Sequence, residues 1–208
     1  MQKTNPPKLY DKYFIQKGIE RTDLFKTINS RFKIDEALYP GSFVHISPSF
    51  VFPQVVYVDS DKRCKSFFQD SNVREYIREK KAYLKESTVR FHERDFSRPF
   101  NEEDESFDLL ISQFSGFISK YCKRYLKHNG ILLVNDSHGD ATLAQLDIDY
   151  ELIAGIDYID GSYKIIESNL EELFQRKGKR RIFEEEVLKK VKGLKYKLER
   201  ENYLFARR

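Results

Sequence analysis

The chain has 208 residues, enough for one domain with an appended segment, and 40% of them are hydrophobic, including 17 Phe and 13 Tyr, so a packed core is expected. Lys and Arg number 37 against 33 Asp and Glu, and the net charge of +4 does not by itself call for nucleic acid. There is no apolar run of roughly 18 residues to span a membrane, the opening MQKTNPPKLYDKYF has no apolar leader segment, and Cys64 and Cys122 make neither a zinc site nor a disulfide framework.

A cytoplasmic protein with reduced thiols and no bound metal is therefore expected. In chain order, residues 1–8 are polar, with Pro6 and Pro7, and residues 10–32 read as helical from the spacing of Tyr10, Phe14, Ile19, Phe25, Ile28 and Phe32. Strands are expected at 37–39, 55–59, 88–93, 107–113 and 131–136, with helices near 61–86 and 115–128 between them. Gly130, following a run with several cations, reads as the stop of the second helix. Strands alternating with helices predict βαβ units and a mostly parallel sheet, and the nearly continuous apolar run 107–112 suits a strand buried on both faces. Beyond residue 150 the pattern changes to strand, Asp160-Gly161 turn and strand. A long charged helix, or two, is then expected over 170–200, and a last strand at 203–207.

The stretch ALYPGSFVHISPSFVFPQVVYVDSDKR (37–63) carries the first chemical signal. Gly41, in the turn after the first strand, permits close backbone approach to a ligand. Ser47 and Pro48 read as N-cap and first residue of a helix that Pro53 cuts short. The next strand delivers Asp59 at its carboxyl end, where α/β sheets bind ligands. A carboxylate there can accept two hydroxyl hydrogens of a ribose, and its distance from Gly41 is near the roughly 20 residues typical of that pairing. The alternative is a plain βα turn and a helix-capping aspartate. Three further strands lead to RDF (94–96), QFSG (113–116) and DSHGD (136–140), so polar or acidic groups recur at one sheet edge.

LYPGS (38–42), VVYVDSD (55–61), RDF (94–96), SFDLLISQFSG (106–116), RYLKHNGILLVND (124–136) and the final NYLFAR (202–207) resemble the class I S-adenosylmethionine-dependent methyltransferases. The resemblance covers most of 35–136 and the last strand. It implies a Rossmann-like three-layer α/β sandwich with helices on both faces of a mostly parallel seven-stranded sheet. The last strand would be antiparallel and inserted beside the strand at 150–157. Residues 1–34 would form a helical segment packed on a domain spanning 35–208, with a charged helical insertion at about 170–200. S-adenosylmethionine would be the cofactor. Gly41, Ser42 and Phe43 would lie under its amino-acid moiety and Asp59 would bind the ribose hydroxyls. Ser60 would lie near the adenine, Asp95 would bond the adenine amino group and Phe96 would pack on the ring. Ser112 and Gln113 would line the floor beneath the methyl donor. Where the family's first loop carries an acid and then several glycines, this chain has Tyr39 and Gly41 alone, followed by Phe43, Val44 and His45.

The candidate proton acceptor is His138, in the loop after 131–135, with a turn or capping role as its alternative. His45 has the same two readings, and Asp136 reads as a cap for a helix starting near Ala141. The basic run RKGKRR (176–181) could contact phosphates or form a solvated junction, since EEE (184–186) follows. The apolar spacing over 187–204 reads as an amphipathic helix. The functional expectation is methyl transfer to an unidentified acceptor. The alternatives are a catalytically silent adenosine-binding protein on the same scaffold, or a nucleic-acid-associated protein using 176–181.

Overall fold

The computed structural model describes residues 4–176 and 182–208. They fall into two compact units divided after Phe100, and the basic run 176–181 lies outside the described residues but for Arg176.

In the first unit, α1 (Lys8–Tyr10) runs into a wider π turn, and α2 (Thr22–Arg31) follows, so the helical run expected over 10–32 is broken. Gly18 and Arg21, at φ +64° and +57°, make the break. Three parallel strands come next in chain order, β1 (Glu36–Pro40), β2 (Gln54–Asp59) and β3 (Thr88–Glu93), with β2 central. Register runs from Glu36 opposite Gln54 to Asp59 opposite Glu93. The apolar run Val55, Val56, Tyr57 and Val58 is buried, as a central strand requires.

The helix expected over 61–86 is two helices, α3 (Lys62–Gln69) and α4 (Ser71–Lys80). Asp70 is the reason: its backbone is extended and its carboxylate accepts from the Asn72 amide at 2.9 Å, capping α4 where α3 ends. Phe68 of α3 stacks on Tyr57 of β2 and Phe91 of β3, with centroids 4.8 and 4.7 Å away. Burial of such a ring stabilises by roughly 1.5–3 kcal/mol.

The second unit contains β4 (Phe107–Ser112), α5 (Ile118–Tyr121), β5 (Leu126–Val134), α6 (Asp140–Leu146), β6 (Tyr150–Ile159), β7 (Ser162–Ile166), α7 (Glu184–Lys190) and β8 (Asn202–Arg207). Their order is β4-β5-β8-β6-β7. β8 is antiparallel to β5 and to β6, and lies between them as the methyltransferase resemblance implies. Because two reversals cancel, β6 runs in the same direction as β4 and β5. Asp160 and Gly161, at φ +49° and +79°, make the expected hairpin turn. The class is the expected Rossmann-like α/β one, with eight strands among the described residues rather than seven; β7 completes the hairpin.

The segment 115–128 is not one helix, and Gly130 ends none: β5 already begins at Leu126. The cations read as helix-end charges pair sideways instead, Arg124 with Asp104 and Lys127 with Asp108, each at 2.7 Å. Asn129, at φ +61°, precedes Gly130 where the β4–β5 register shifts. Among the described residues, the long helix expected over 170–200 and the amphipathic helix expected over 187–204 are a 3-10 turn at Leu170–Glu172 and α7, which stops at left-handed Val191. Leu173 bridges Leu198, and Phe174 packs its ring against Tyr196 and Tyr203, so these apolar residues bury through an irregular chain path. Among the described residues no helix is long and apolar enough to cross a membrane.

Candidate functional site

At the carboxyl end of β1 the chain turns sharply at Gly41 (φ +64°), whose amide donates to the Val58 carbonyl at 2.7 Å. Two residues on, Phe43 adopts φ +48°, a conformation that costs a non-glycine residue on the order of 1 kcal/mol. The turn aims the Phe43 amide at Asp59 Oδ2, 2.7 Å away, while the Asp61 amide donates to Asp59 Oδ1 at 2.8 Å. Asp59 thus has one backbone donor on each oxygen and is half-buried at the end of β2. A carboxylate offers about four acceptor positions, so about two remain for a ligand.

The Phe43 ring is held from two sides. Tyr13 meets it edge-on at 5.1 Å, and the Arg63 guanidinium lies over it at 4.6 Å. Arg63 also forks onto Asp61 (2.7 and 2.9 Å) and donates to the Tyr13 hydroxyl at 3.1 Å. These bonds to Arg63 hold the Asp61 carboxyl down at about 2. Sequence reading did not single out Arg63 as a site residue: it lies in the VVYVDSDKR motif, but its contact with Tyr13 spans 50 positions.

His45 is buried, and its ring stacks on Phe14 at 4.4 Å. The Glu20 carbonyl, an acceptor only, lies 2.7 Å from Nε2, so Nε2 carries the proton and Nδ1 accepts from the Tyr39 hydroxyl at 3.1 Å. Burial pushes the imidazole down to about 4, so it stays neutral near pH 7. Of its two readings, the packed turn histidine is the one the geometry matches. Ser47 does not cap a helix: residues Ser47–Phe50 form one 3-10 turn whose N-cap is Ile46. The Ser47 hydroxyl lies 2.8 Å from that of Tyr10, which donates to Glu20 Oε1 at 2.7 Å.

Ser60 and Asp95 are exposed and Phe96 is half-buried. The Arg94 amide donates to the Asp59 carbonyl at 3.0 Å, tying the end of β3 to that of β2, and Asp95 lies one residue on. Its Oδ1 accepts from the Ser97 amide at 2.9 Å, which draws its pKa below the usual value. Gly41, Ser42, Phe43, Asp59, Ser60 and Asp95 therefore lie at one end of the first unit's strands.

In the second unit Ser112 ends β4 and Gln113 follows it, both buried. The Ser112 hydroxyl donates to Asp140 Oδ2 at 2.5 Å, and Ser119 donates to the same carboxylate through its amide and hydroxyl. Asp140 is buried, and desolvation pushes it up to about 6. Gln113 donates to Asn202 Oδ1 at 2.9 Å and accepts from Asn135 at 3.3 Å, linking the ends of β4, β5 and β8 by amides. Neither Asp140 nor Asn202 was a sequence candidate; GD (139–140) was the only visible cue to the former. His138 is half-buried, with Nδ1 2.9 Å from the Ser137 hydroxyl.

Asp136 accepts from the Thr142 amide and hydroxyl at 2.8 and 2.9 Å, bonding the first turn of α6 as expected. Burial raises it to about 6.

The fold and these strand ends define an α/β protein of the Rossmann-like class. No family model and no curated protein matches the chain. Solved structures similar to it include a methyltransferase from Geobacter sulfurreducens (12% identity, 76% of this chain and 86% of that one, TM-score 0.49). Others are an O-methyltransferase from Bacillus cereus in complex with SAH (10%, 70% and 77%, 0.48) and the YcgJ protein from Bacillus subtilis (16%, 58% and 54%, 0.40). The chain spans about half the length of YcgJ.

Proposed function

We propose that this chain binds S-adenosylmethionine and transfers its methyl group to an acceptor. The observation that carries the reading is Asp59: one backbone amide on each oxygen orients the carboxylate at the end of β2, with acceptor positions left for a ribose diol. Gly41 provides the tight turn beneath the amino-acid moiety. Asp95, one residue beyond the tie between β3 and β2, is the partner for the adenine amino group, with Ser60 and Phe96 beside the ring. Ser112 and Gln113 act through the chain segments they hold, since their side chains are engaged with Asp140, Asn202 and Asn135. The adenosine half of the cofactor fits these residues. The methionine half must share its space with Phe43, clasped by Tyr13 and Arg63.

Methyl transfer by direct displacement depends chiefly on position and in-line approach. His138, beside the Ser137 hydroxyl, is the residue available to take a proton from the acceptor. The silent adenosine-binding alternative draws on the bulk at 39–45. The nucleic-acid alternative rests on 176–181, of which all but Arg176 lies outside the described residues.

Calorimetric titration with S-adenosylmethionine and S-adenosylhomocysteine tests the reading. Saturable binding of either, lost in Asp59→Ala, is expected; absence of binding to both sinks it. Binding without turnover over a broad acceptor panel selects the silent alternative.

A further inference from the structure

A cavity of about 300 Å³ opens in the second unit, where Phe114 follows β4 and Asn135 follows β5. That volume is at the small end for a ligand site, the size of a compact metabolite. Asp136, Ser137 and Tyr203 also line it, and the segment preceding β8 adds four charged side chains: Lys192 and Lys195, then Glu199 and Glu201. Among the described residues none of the four forms an ion pair, although opposite signs share one cavity. Glu199 accepts from the Tyr196 amide at 3.1 Å and Glu201 from the Tyr158 amide at 3.4 Å. Neutral donors fix these carboxylates without cancelling their charge. Of the other charged lining groups, Arg200 pairs with Asp157 at 2.8 Å, and Asp136 is a third carboxylate, bonded by the neutral donors of Thr142. Phe114 is 55% exposed and is the aromatic residue open at this cavity, Tyr203 in the lining being buried.

An anion entering here meets the carboxylates of Asp136, Glu199 and Glu201, and a cation meets two ammonium groups; in each case like charge opposes binding. A molecule carrying both signs meets a complement for each, and an apolar body has Phe114 to lie against. We propose that this cavity binds a zwitterion with an apolar side group, namely a free α-amino acid. The inference rests on the cavity and goes beyond the methyl-transfer reading, within which such a molecule would be the acceptor. Its test omits the cofactor, so the two can fail separately.

The test titrates the full chain with L-phenylalanine, with phenethylamine as the cation-only probe and phenylacetate as the anion-only probe. Phenylalanine is expected to bind about tenfold or more tighter than either. Lys192→Gln with Lys195→Gln should weaken phenylalanine and strengthen phenethylamine. Glu199→Gln with Glu201→Gln, which keeps an acceptor for the two amides, should weaken phenylalanine and strengthen phenylacetate. All four residues are exposed, and circular dichroism verifies the fold of each variant. No saturable binding of phenylalanine, binding matched by either single-charge probe, or binding unchanged in both double variants overturns the assignment.

Discussion

The Phe43 amide donates to Asp59 Oδ2 at 2.7 Å, so a left-handed residue in the first loop fixes the carboxylate at the end of the second strand. A hydrogen bond to a charged group contributes roughly 1.5–3 kcal/mol, enough to offset the cost of the Phe43 conformation. Asp59→Ala should therefore lower stability by about 2 kcal/mol in urea unfolding as well as remove cofactor binding. If the variant is as stable as the parent, the bond does not hold the loop.

His45 makes stability depend on pH. Its folded pKa is about 4 against an ordinary 6.5, so between these values the unfolded chain binds the extra proton. Its contribution is complete above pH 6.5 and is lost as pH falls through 4. Asp136 and Asp140, raised to about 6 from 3.8, act oppositely: their contribution is present below 3.8 and lost as pH rises through 6. Denaturant unfolding at pH 7.5 and 5.0 should show His45→Gln losing less stability on acidification than the parent. Asp140→Asn should lose more, because the carboxyl that gains from acid is gone. Equal pH dependence in all three proteins would contradict both.

Two glycines in the second unit should respond differently to alanine. A Cβ at Gly193 would lie 2.0 Å from the Asp136 carbonyl oxygen, so backbone must move. One at Gly155 would meet the Arg200 side chain, 2.6 Å from Cγ, which can swing aside. Gly193→Ala is expected to cost about 2 kcal/mol or more, within the usual range for overpacking. Gly155→Ala should cost less, and thermal unfolding of the pair gives the order.

Asp70→Ala removes the cap of α4 and should cost about 1 kcal/mol. Asp70→Ser, which keeps an acceptor, should restore most of it; failure of serine to do so would move the effect elsewhere.

The sequence displayed the strands well where burial is continuous. Val55 to Val58 and Leu109 to Ile111 are apolar because both faces are covered, and Asp160-Gly161 marks a turn requiring positive φ twice. It misled where local signals have non-local partners. Arg124 and Lys127 look like helix-end cations until Asp104 and Asp108 are seen beside them. Leu194 and Leu198 have helical spacing, yet Gly193 is pinned against Asp136 and Leu198 bridges Leu173. At the candidate site, Gly41 and Asp59 stood out by residue type and spacing. The Tyr13–Phe43–Arg63 clasp did not, because an aromatic-cation contact leaves no periodic trace.

β8 is paired with β5 on one side and β6 on the other, with Ile131 opposite Ala206 and Tyr150 opposite Arg207. Such pairing is non-local, and loop closure must be paid before it is rewarded. The β4–β5 pair and the β6–β7 hairpin are thus two separate ribbons until residues 202–207 slot between them. Entry of that one strand is expected to set the folding rate of the second unit. Because Asn202 begins the same strand and bonds Gln113, the entry that joins the ribbons also closes the amide chain at the ends of β4 and β5.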